Sequence, residues 1–174
     1  MSEHPQVWLG VVADDVTGAV DLAGSVTEAG LRTVIRLGVP DPSAPLPECD
    51  CAVVALTTRT APAQSAVAAS VTSARWLLDH GAGVLYQKYC STFDSTDEGN
   101  IGPVADALAD LVAQRSGGPS GWSVGTPATP QVGRTQYLGH LFVGGRLLSE
   151  SSLRNHPLTP MRDPDLVRVL GRQT

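Results

Sequence analysis

Short apolar runs recur through the first half of the chain and are separated by longer segments in which apolar residues return at helical spacing. Each run is too short for a typical helix and is rich in residues that favour strands, which predicts buried β-strands. The predicted strands lie at Val7–Ala13, Arg32–Leu37, Cys51–Leu56 and Gly83–Tyr89.

Three segments are predicted to be helices. The first is the small-residue segment Ala19–Ala29, which Thr17 and Gly18 open; Gly30 follows it and suits the left-handed position that closes a helix. Thr60 is expected to cap a second helix, with Pro62 in its first turn. A third helix is predicted from about Pro103 to Val112. The predicted apolar faces comprise Val67, Val71, Ala74 and Leu78 in the second helix and Val104, Leu108 and Leu111 in the third.

Strands that alternate with helices predict an α/β domain in three layers, with a mostly parallel sheet and helices on both faces. The last third has a different pattern: a loop at Ser116–Gly121, a short strand at Trp122–Val124, a hairpin at His140–Leu148 and a short helix beginning at Asp163-Pro164. At 174 residues, the chain fits a single domain spanning residues 1–174.

The composition narrows the choice of partners. Apolar residues make up 42% of the chain and charged residues 17%, as in a globular protein. With 17 acidic and 12 basic residues, the net charge is −5, which argues against nucleic acid or an anionic membrane, because binding either requires a basic surface. Apolar runs are far shorter than the ~20 residues that span a bilayer, and no secretory leader is recognisable. We therefore expect a cytoplasmic protein with no nucleic-acid or membrane partner.

Two residue types limit the chemistry further. Lys88 is the only lysine and is followed by Tyr89, which excludes a Walker A loop, because that loop needs lysine followed by serine or threonine. No GxGxxG run occurs. Cys49, Cys51 and Cys90 are odd in number and lack further ligands at zinc-site spacing, so neither a disulfide framework nor a metal site is expected.

Three polar clusters directly follow predicted strands. Asp14-Asp15 follows the first strand, Thr57-Thr58-Arg59 the third, and Lys88–Gly102 the fourth. Ligands of open parallel sheets bind at the carboxyl ends of the strands. We therefore expect the three clusters to contribute to one pocket.

The side chains of these clusters suit a small sugar acid. Arg59 offers a planar fork that matches a carboxylate, and Lys88 offers a compact positive charge. Asp14 and Asp15 can accept hydrogen bonds from hydroxyl groups. Short polar side chains are added by Ser91, Thr92, Ser95, Thr96 and Asn100. A ligand with a carboxylate at one end and hydroxyls along its length would match this set.

Simpler explanations remain open for each of these residues. Asp14-Asp15 could cap the next helix, because acids favour a helix N-terminus; a phosphatase nucleophile would instead need Asp-x-Asp. Arg59 could be a surface arginine, Lys88 could be structural, and the Ser91–Asn100 loop could be solvated. Arg134, in a Gly-Arg-Thr turn, is equally compatible with a structural role and a binding role.

Two sequence motifs carry a family resemblance. Ala13–Ala19, ADDVTGA, and Phe93–Gly102, FDSTDEGNIG, resemble the signature motifs of the four-carbon acid sugar kinases, and the similarity extends from about Trp8 to Thr174. Further stretches resemble the 3-oxo-tetronate kinase subgroup: Tyr89–Ser95, Pro127–Pro130, Gly133–Thr135, Gly139–Val143, Glu150-Ser151 and His156–Met161.

The resemblance implies the substrate-binding domain of an ATP-dependent kinase that phosphorylates the terminal hydroxyl of a four-carbon sugar acid, such as 3-oxo-tetronate. Members of this family have an N-terminal substrate domain and a C-terminal ATP-binding domain, and we expect the chain to contain only the first. ATP with Mg²⁺ is then the cofactor of the full-length family. No cofactor is expected to bind this chain, which alone would be inactive.

The resemblance also bears on individual residues. It leaves the catalytic base open among Asp14, Asp15, Asp94 and a group on the ATP-binding domain, and it places Arg134 on the substrate side. Two positions depart from the wider family. Lys88 lies six residues before Asp94 rather than next to the DST triplet, and Glu98 is acidic where many members have arginine.

Other functions remain open. The chain could be a sugar-acid binding module without catalysis or an inactive gene remnant; an aldolase or hydrolase is a weaker third alternative. The apolar residues Leu166, Val167 and Leu170 of the final helix are expected to form a contact surface. This surface predicts either self-association or a separately encoded ATP-binding domain as a partner.

Overall fold

The computed structural model describes residues 7–118 and 122–174. These residues form two compact units. The first unit contains the described residues up to Thr58 together with Gln64–Lys88, and the second contains Arg59–Ala63 together with the described residues from Tyr89 onwards.

The first unit is built on a parallel sheet. Its elements are β1 (Leu9–Ala13), α1 (Val16–Glu28), β2 (Thr33–Leu37), β3 (Cys51–Ala55), α2 (Ala63–Asp79) and β4 (Val84–Lys88). The strand order is β2-β3-β1-β4, and every neighbouring pair is parallel. Central strands β1 and β3 are buried along their whole length, as expected for strands covered on both faces.

Neighbouring residues of β1 face opposite helices, because side chains alternate along a strand. Val11 belongs to a core cluster with Ala19 and Ala23 of α1. Gly10 faces the other way, where an added Cβ would lie 3.1 Å from the Cβ of Leu77 in α2. The parallel sheet and the three-layer α/β arrangement predicted from the sequence are therefore confirmed.

The buried face of α2 differs from the prediction. The helix begins at Ala63, so Pro62 precedes it rather than standing in its first turn. Val67, Val71 and Leu78 are only partly buried, whereas the buried positions are Ala66, Ser70, Ser73, Ala74, Trp76 and Leu77. Small side chains allow a helix to approach a sheet closely, and the Ser73 hydroxyl donates to the Ala69 carbonyl at 2.8 Å, which offsets the cost of burying it. The buried face therefore combines the large apolar side chains of Trp76 and Leu77 with small residues.

The second unit combines a helix with a small antiparallel sheet. Its elements are α3 (Ile101–Ser116), β5 (Arg134–Tyr137), β6 (His140–Val143), β7 (Arg146–Leu147) and α4 (Leu166–Leu170). The strand order is β5-β6-β7 with both pairs antiparallel. The core of this unit comprises Phe93, Ile101, Leu141, Leu148, Met161, Leu166 and Val169.

Helices α1 and α3 agree largely with the helices predicted from the sequence. Gly30 follows α1 at a φ of +95°, the left-handed position predicted for it. The third predicted helix is confirmed as α3, which is longer than expected at both ends. Its buried residues include Val104, Leu108 and Leu111, the face that the periodicity indicated.

The last third shows both agreement and error. The hairpin at His140–Leu148 is confirmed as β6 and β7. The strand predicted at Trp122–Val124 is wrong, because this segment is irregular and Trp122 is fully exposed. Of the predicted loop Ser116–Gly121, Ser116 ends α3, and residues 119–121 lie outside the described residues. Strand β5 was not predicted, because its residues are largely polar.

The contact surface predicted on the final helix needs correction. Leu166 is buried in the core of the second unit at 5% exposure, whereas Val167 is 70% exposed. Val169 faces the core with Leu166, and Leu170 is partly buried against it, because residues three and four apart share a helix face. Among the described residues, no helix has the length and apolar character needed to cross a bilayer.

Candidate functional site

The carboxyl edge of the parallel sheet holds the first group of predicted residues. Ala13 at the end of β1 is in register with Ala55 of β3 and Lys88 of β4. The Asp14 amide donates to the Lys88 carbonyl at 3.0 Å, and the Thr58 amide donates to the Asp14 carbonyl at 2.9 Å. Asp14, Thr58 and Lys88 therefore meet at one edge, as the sequence predicted.

Asp15 caps the helix that follows this edge. Its Oδ1 accepts a hydrogen bond from the Gly18 amide at 2.7 Å, which satisfies one of the unpaired donors at the start of α1. The capping role considered for Asp14-Asp15 is thus correct for Asp15. The carboxylate remains partly exposed, so capping does not prevent it from contacting a ligand.

Gly18 leaves the space in which Lys88 lies. A Cβ on Gly18 would be 2.7 Å from Asp15 Oδ1 and 3.1 Å from Lys88 Nζ. The ammonium group therefore lies over the first turn of α1, close to the capping carboxylate. A cation beside a helix N-terminus is unfavourable by itself, and the neighbouring aspartates offset this cost. This arrangement explains why the DDVTG segment has glycine at its last position.

The second group of predicted residues lies in the loop after β4. The Thr92 hydroxyl donates to Asp94 Oδ1 at 2.5 Å, and Cys90 Sγ lies 3.0 Å from Thr92 Oγ1. Phe93 between them has a φ of 53°, which is strained for a residue with a side chain. Burial of its ring and an edge-to-face contact with Tyr89 stabilise this conformation.

Arg59 belongs to the same unit as this loop and lies beside it. Its Nη1 is 3.9 Å from Asp94 Oδ2, and both side chains are mostly buried. Asn100 Nδ2 donates to the Ala61 carbonyl at 2.9 Å and to the Arg59 carbonyl at 3.4 Å. Arg59 is therefore held at its backbone and paired at its side chain, which argues against a loosely solvated surface arginine.

The polar residues of the loop are less open than the sequence suggested. Thr92, Ser95 and Asn100 are each 5% exposed, and their side chains form hydrogen bonds within the second unit. Ser91 is partly buried. These residues shape the loop, and their direct contact with a ligand stays a prediction.

Arg134 lies at the start of β5, and its side chain bonds locally. Its Nη1 donates to the Val132 carbonyl at 2.5 Å, and its buried Nε has no hydrogen-bond partner among the described residues. A buried donor without an acceptor is costly, which is consistent with a role beyond local packing.

Two chemical properties complete the site. Burial raises the pKa of the Cys90 thiol, although the hydrogen bond with Thr92 acts against this shift. Cys90 is therefore a neutral thiol near neutral pH, which disfavours it as a nucleophile. In the part of the chain that the structure describes, no cluster of three or more histidine, cysteine or acidic residues could hold a metal ion.

One contributor to this region was missed by the sequence analysis. The Gln173 carboxamide contacts Ser95 and Thr96 of the loop and the Gly102 amide of α3. More than seventy residues separate these partners along the chain. No motif or periodicity links a glutamine after a short helix to such a distant loop.

Comparison with known proteins identifies the family. The family model for the sugar-binding N-terminal domain matches residues 9–174, and the chain belongs to this family. A 3-oxo-tetronate kinase of Burkholderia multivorans is 56% identical over 166 residues, which are 95% of this chain and 37% of that protein. The chain thus spans somewhat over a third of the length of this relative.

Solved structures agree with this assignment. A Haemophilus influenzae protein has a TM-score of 0.87 and 46% identity, with 95% of this chain and 38% of that chain covered. A Bordetella bronchiseptica protein, crystallised with bound citrate as a domain-swapped dimer, has a TM-score of 0.75 and 31% identity, with 94% of this chain and 40% of that chain covered.

Proposed function

We propose that this chain binds a four-carbon sugar acid, of the 3-oxo-tetronate type, for phosphorylation at its terminal hydroxyl. The observation that carries the proposal is the group at the carboxyl edge of the sheet, where Lys88 Nζ lies over the glycine of a helix that Asp15 caps. The carboxyl edge of the sheet thus provides a cation that can pair with an acidic ligand. It also provides carboxylates that can accept hydrogen bonds from the hydroxyl groups of that ligand. The 56% identity to a 3-oxo-tetronate kinase supports this ligand class.

Each predicted site residue has a distinct proposed role. Lys88 attracts the anionic ligand, and Asp14 and Asp15 accept hydrogen bonds from hydroxyl groups. Arg59 is a second proposed anchor for a carboxylate, because its guanidinium fork matches that group. Asp14, Asp15 and Asp94 are the candidates for the base that takes the proton of the reacting hydroxyl.

The bound citrate of the Bordetella relative supports an acidic ligand. Citrate and a tetronate both combine carboxylate and hydroxyl groups, so similar side chains can bind them. The residues described here offer neither a phosphate-binding glycine loop nor a metal cluster. ATP with Mg²⁺ is therefore proposed only for the reaction of the longer kinases.

Titration calorimetry with threonate, a stable four-carbon sugar acid, tests the proposal. The Lys88→Met variant keeps most of the side-chain length and removes the charge, so it should weaken binding at least tenfold, corresponding to a loss of about 1.5–3 kcal/mol for a charge-assisted contact. Asp15→Asn retains a capping side chain and removes the charge, so it separates ligand binding from helix capping.

The matched control is Arg75→Lys. Arg75 is exposed on α2, away from the carboxyl edge, and its replacement preserves the net charge of the chain. It should bind threonate like the parent chain. Equal affinity of the parent and Lys88→Met would contradict the proposed site, and absence of binding by the folded parent would contradict the proposed function.

A further inference from the structure

The carboxamide of Gln173 joins two segments that carry the second signature motif. Its Nε2 donates to the Thr96 carbonyl at 2.6 Å and to Ser95 Oγ at 2.7 Å. Its Oε1 accepts from the Gly102 amide at 2.9 Å, in the first turn of α3. One side chain therefore bonds both ends of the segment that runs from the loop into the helix.

The orientation of this carboxamide is determined by its backbone partners. A carbonyl oxygen only accepts and a backbone amide only donates, so Nε2 must face Thr96 and Oε1 must face Gly102. Rotation of the amide by 180° would place like groups against each other at both positions. Ser95 Oγ is consequently an acceptor toward Gln173, and its hydroxyl hydrogen points in another direction.

Two glycines of the motif leave space for this side chain. A Cβ on Gly99 would lie 1.8 Å from Ser95 Oγ and 2.6 Å from Gln173 Nε2. A Cβ on Gly102 would lie 2.7 Å from Thr174 Cγ2 and 3.1 Å from Gln173 Cβ. The glycines of the DEGNIG segment thus permit the close approach of Gln173. A larger residue at either position would block this contact.

Asn100 gives an independent reason for the contact. It precedes α3, and its side chain makes no capping hydrogen bond; its Nδ2 donates to the Ala61 and Arg59 carbonyls. Pro103 contributes no backbone donor. Gln173 therefore supplies to the Gly102 amide the acceptor that a local cap would ordinarily provide.

We propose that Gln173 is a positioning residue for ligand binding. Its hydrogen bonds to Thr96 and Gly102 hold the carboxamide so that Nε2 faces Ser95. This directs the Ser95 hydroxyl hydrogen away from Gln173, so that Ser95 donates to an oxygen of the sugar acid. This inference rests on the proposed function, because it assigns to Ser95 a ligand of the class proposed above. Gln173 acts through Ser95 and does not contact the reacting atoms.

A double-mutant cycle measured by threonate calorimetry tests the proposal. Gln173→Ala should weaken threonate binding about 3- to 10-fold. This is the effect expected when the hydrogen bond from Ser95 to the ligand is lost. Gln173→Glu keeps an acceptor for Gly102 but cannot donate to Ser95, so it should weaken binding as much. In a Ser95→Ala background, Gln173→Ala should have no further effect, because the bond through which it acts is already absent.

Gln114→Ala is the matched control, since Gln114 is exposed near the end of α3. It should leave threonate affinity unchanged. Parent-like binding by both folded Gln173 variants overturns the inference. An equal loss of affinity on Gln173→Ala in the parent and in the Ser95→Ala background also overturns the inference. That result indicates general loosening of the loop.

Amide hydrogen exchange distinguishes a wrong role for Gln173 from a wrong proposed function, because it is measured without a ligand. If the parent does not bind threonate, the proposed function is wrong. The Gly102 amide should still exchange faster in Gln173→Ala and retain protection in Gln173→Glu. Unchanged exchange in Gln173→Ala overturns the positioning role in that case. Should Gln173→Ala not fold, Gln173→Glu supplies the binding comparison, and Gln173→Met, which also removes the acceptor for Gly102, supplies the exchange comparison.

Discussion

Glycine positions show how single residues shape the candidate site. Gly18 leaves space for Lys88 and the capping carboxylate of Asp15, whereas Gly99 and Gly102 leave space for Gln173. An added methyl group would meet polar atoms first at Gly18 and Gly99, and the Thr174 and Gln173 side-chain carbons first at Gly102. Both signature motifs therefore contain glycine because close approach is required, with no unusual backbone conformation at these three positions.

A Gly18→Ala substitution should affect both capping and binding. Its Cβ would lie 2.7 Å from Asp15 Oδ1, so the cap must move, at a cost of about 1 kcal/mol in the free energy of unfolding. Lys88 must shift as well, which should weaken threonate binding. Chemical denaturation and calorimetry measure the two effects.

Gly24→Ala is the control for this substitution in the same helix. Among the described residues, an added Cβ at Gly24 has no atom within 4 Å beyond the neighbouring backbone of its own helix, so alanine should stabilise α1 by up to ~1 kcal/mol through its higher helix propensity. Threonate affinity should stay unchanged. Destabilisation of Gly24→Ala to the same extent as Gly18→Ala would show that α1 tolerates no added methyl group, irrespective of the site.

At the scale of elements, α4 depends on charge as well as on packing. Arg168 donates to both carboxylate oxygens of Asp163 at 2.7 Å, and Asp165 Oδ1 caps the helix at the Arg168 amide. The hydrogen bonds from Arg168 lower the pKa of Asp163 from 3.8 to about 2, against the opposing effect of its partial burial. A helix of five residues is too short to be stable alone, so these contacts fix its start.

This ion pair predicts a pH dependence of stability. The folded pKa lies below the unfolded value, so the contribution of Asp163 is complete above about pH 4 and is lost as the pH falls toward 2. Asp163→Asn should therefore reduce the loss of thermal stability over this range. The acid sensitivity will persist in part, because Arg32 also lowers the pKa of Asp50 to about 2.

Thermal unfolding followed at several pH values measures this effect. Asp106→Asn, which removes an exposed carboxylate from α3, is the matched control and should follow the parent curve. Parallel curves for the parent and Asp163→Asn between pH 4 and 2 would contradict the assigned role of the ion pair.

The elements that the sequence predicted best are those whose burial creates a strong pattern. Strands β1 and β3 are covered on both faces and appear as continuous apolar runs, and the buried face of α3 follows helical spacing. The pattern failed where small or polar residues are buried, as at Ser73 of α2, and where polar residues form a strand, as in β5.

Site prediction had the same limit. The proximity of Asp14 and Lys88 was predicted correctly because strand ends in a parallel sheet meet at one edge. Gln173 was not found because its three hydrogen bonds depend on contacts far apart in the chain.

For the whole molecule, family membership and local geometry support the same proposal. The sugar-binding family model covers residues 9–174, and the carboxyl edge of the first unit offers both signs of charge. Self-association remains a proposal. Leu166 is buried and cannot contribute to an exposed interface, although the Bordetella relative forms a domain-swapped dimer.

The most direct test of the central claim is to follow backbone amide NMR signals while threonate is added to the parent chain. Binding at the carboxyl edge predicts saturable shifts at Asp14, Asp15, Gly18 and Lys88, with no comparable shifts for equal concentrations of the uncharged polyol threitol. Shifts confined to β5–β7, or identical responses to threonate and threitol, would contradict the assignment of this edge as a sugar-acid site.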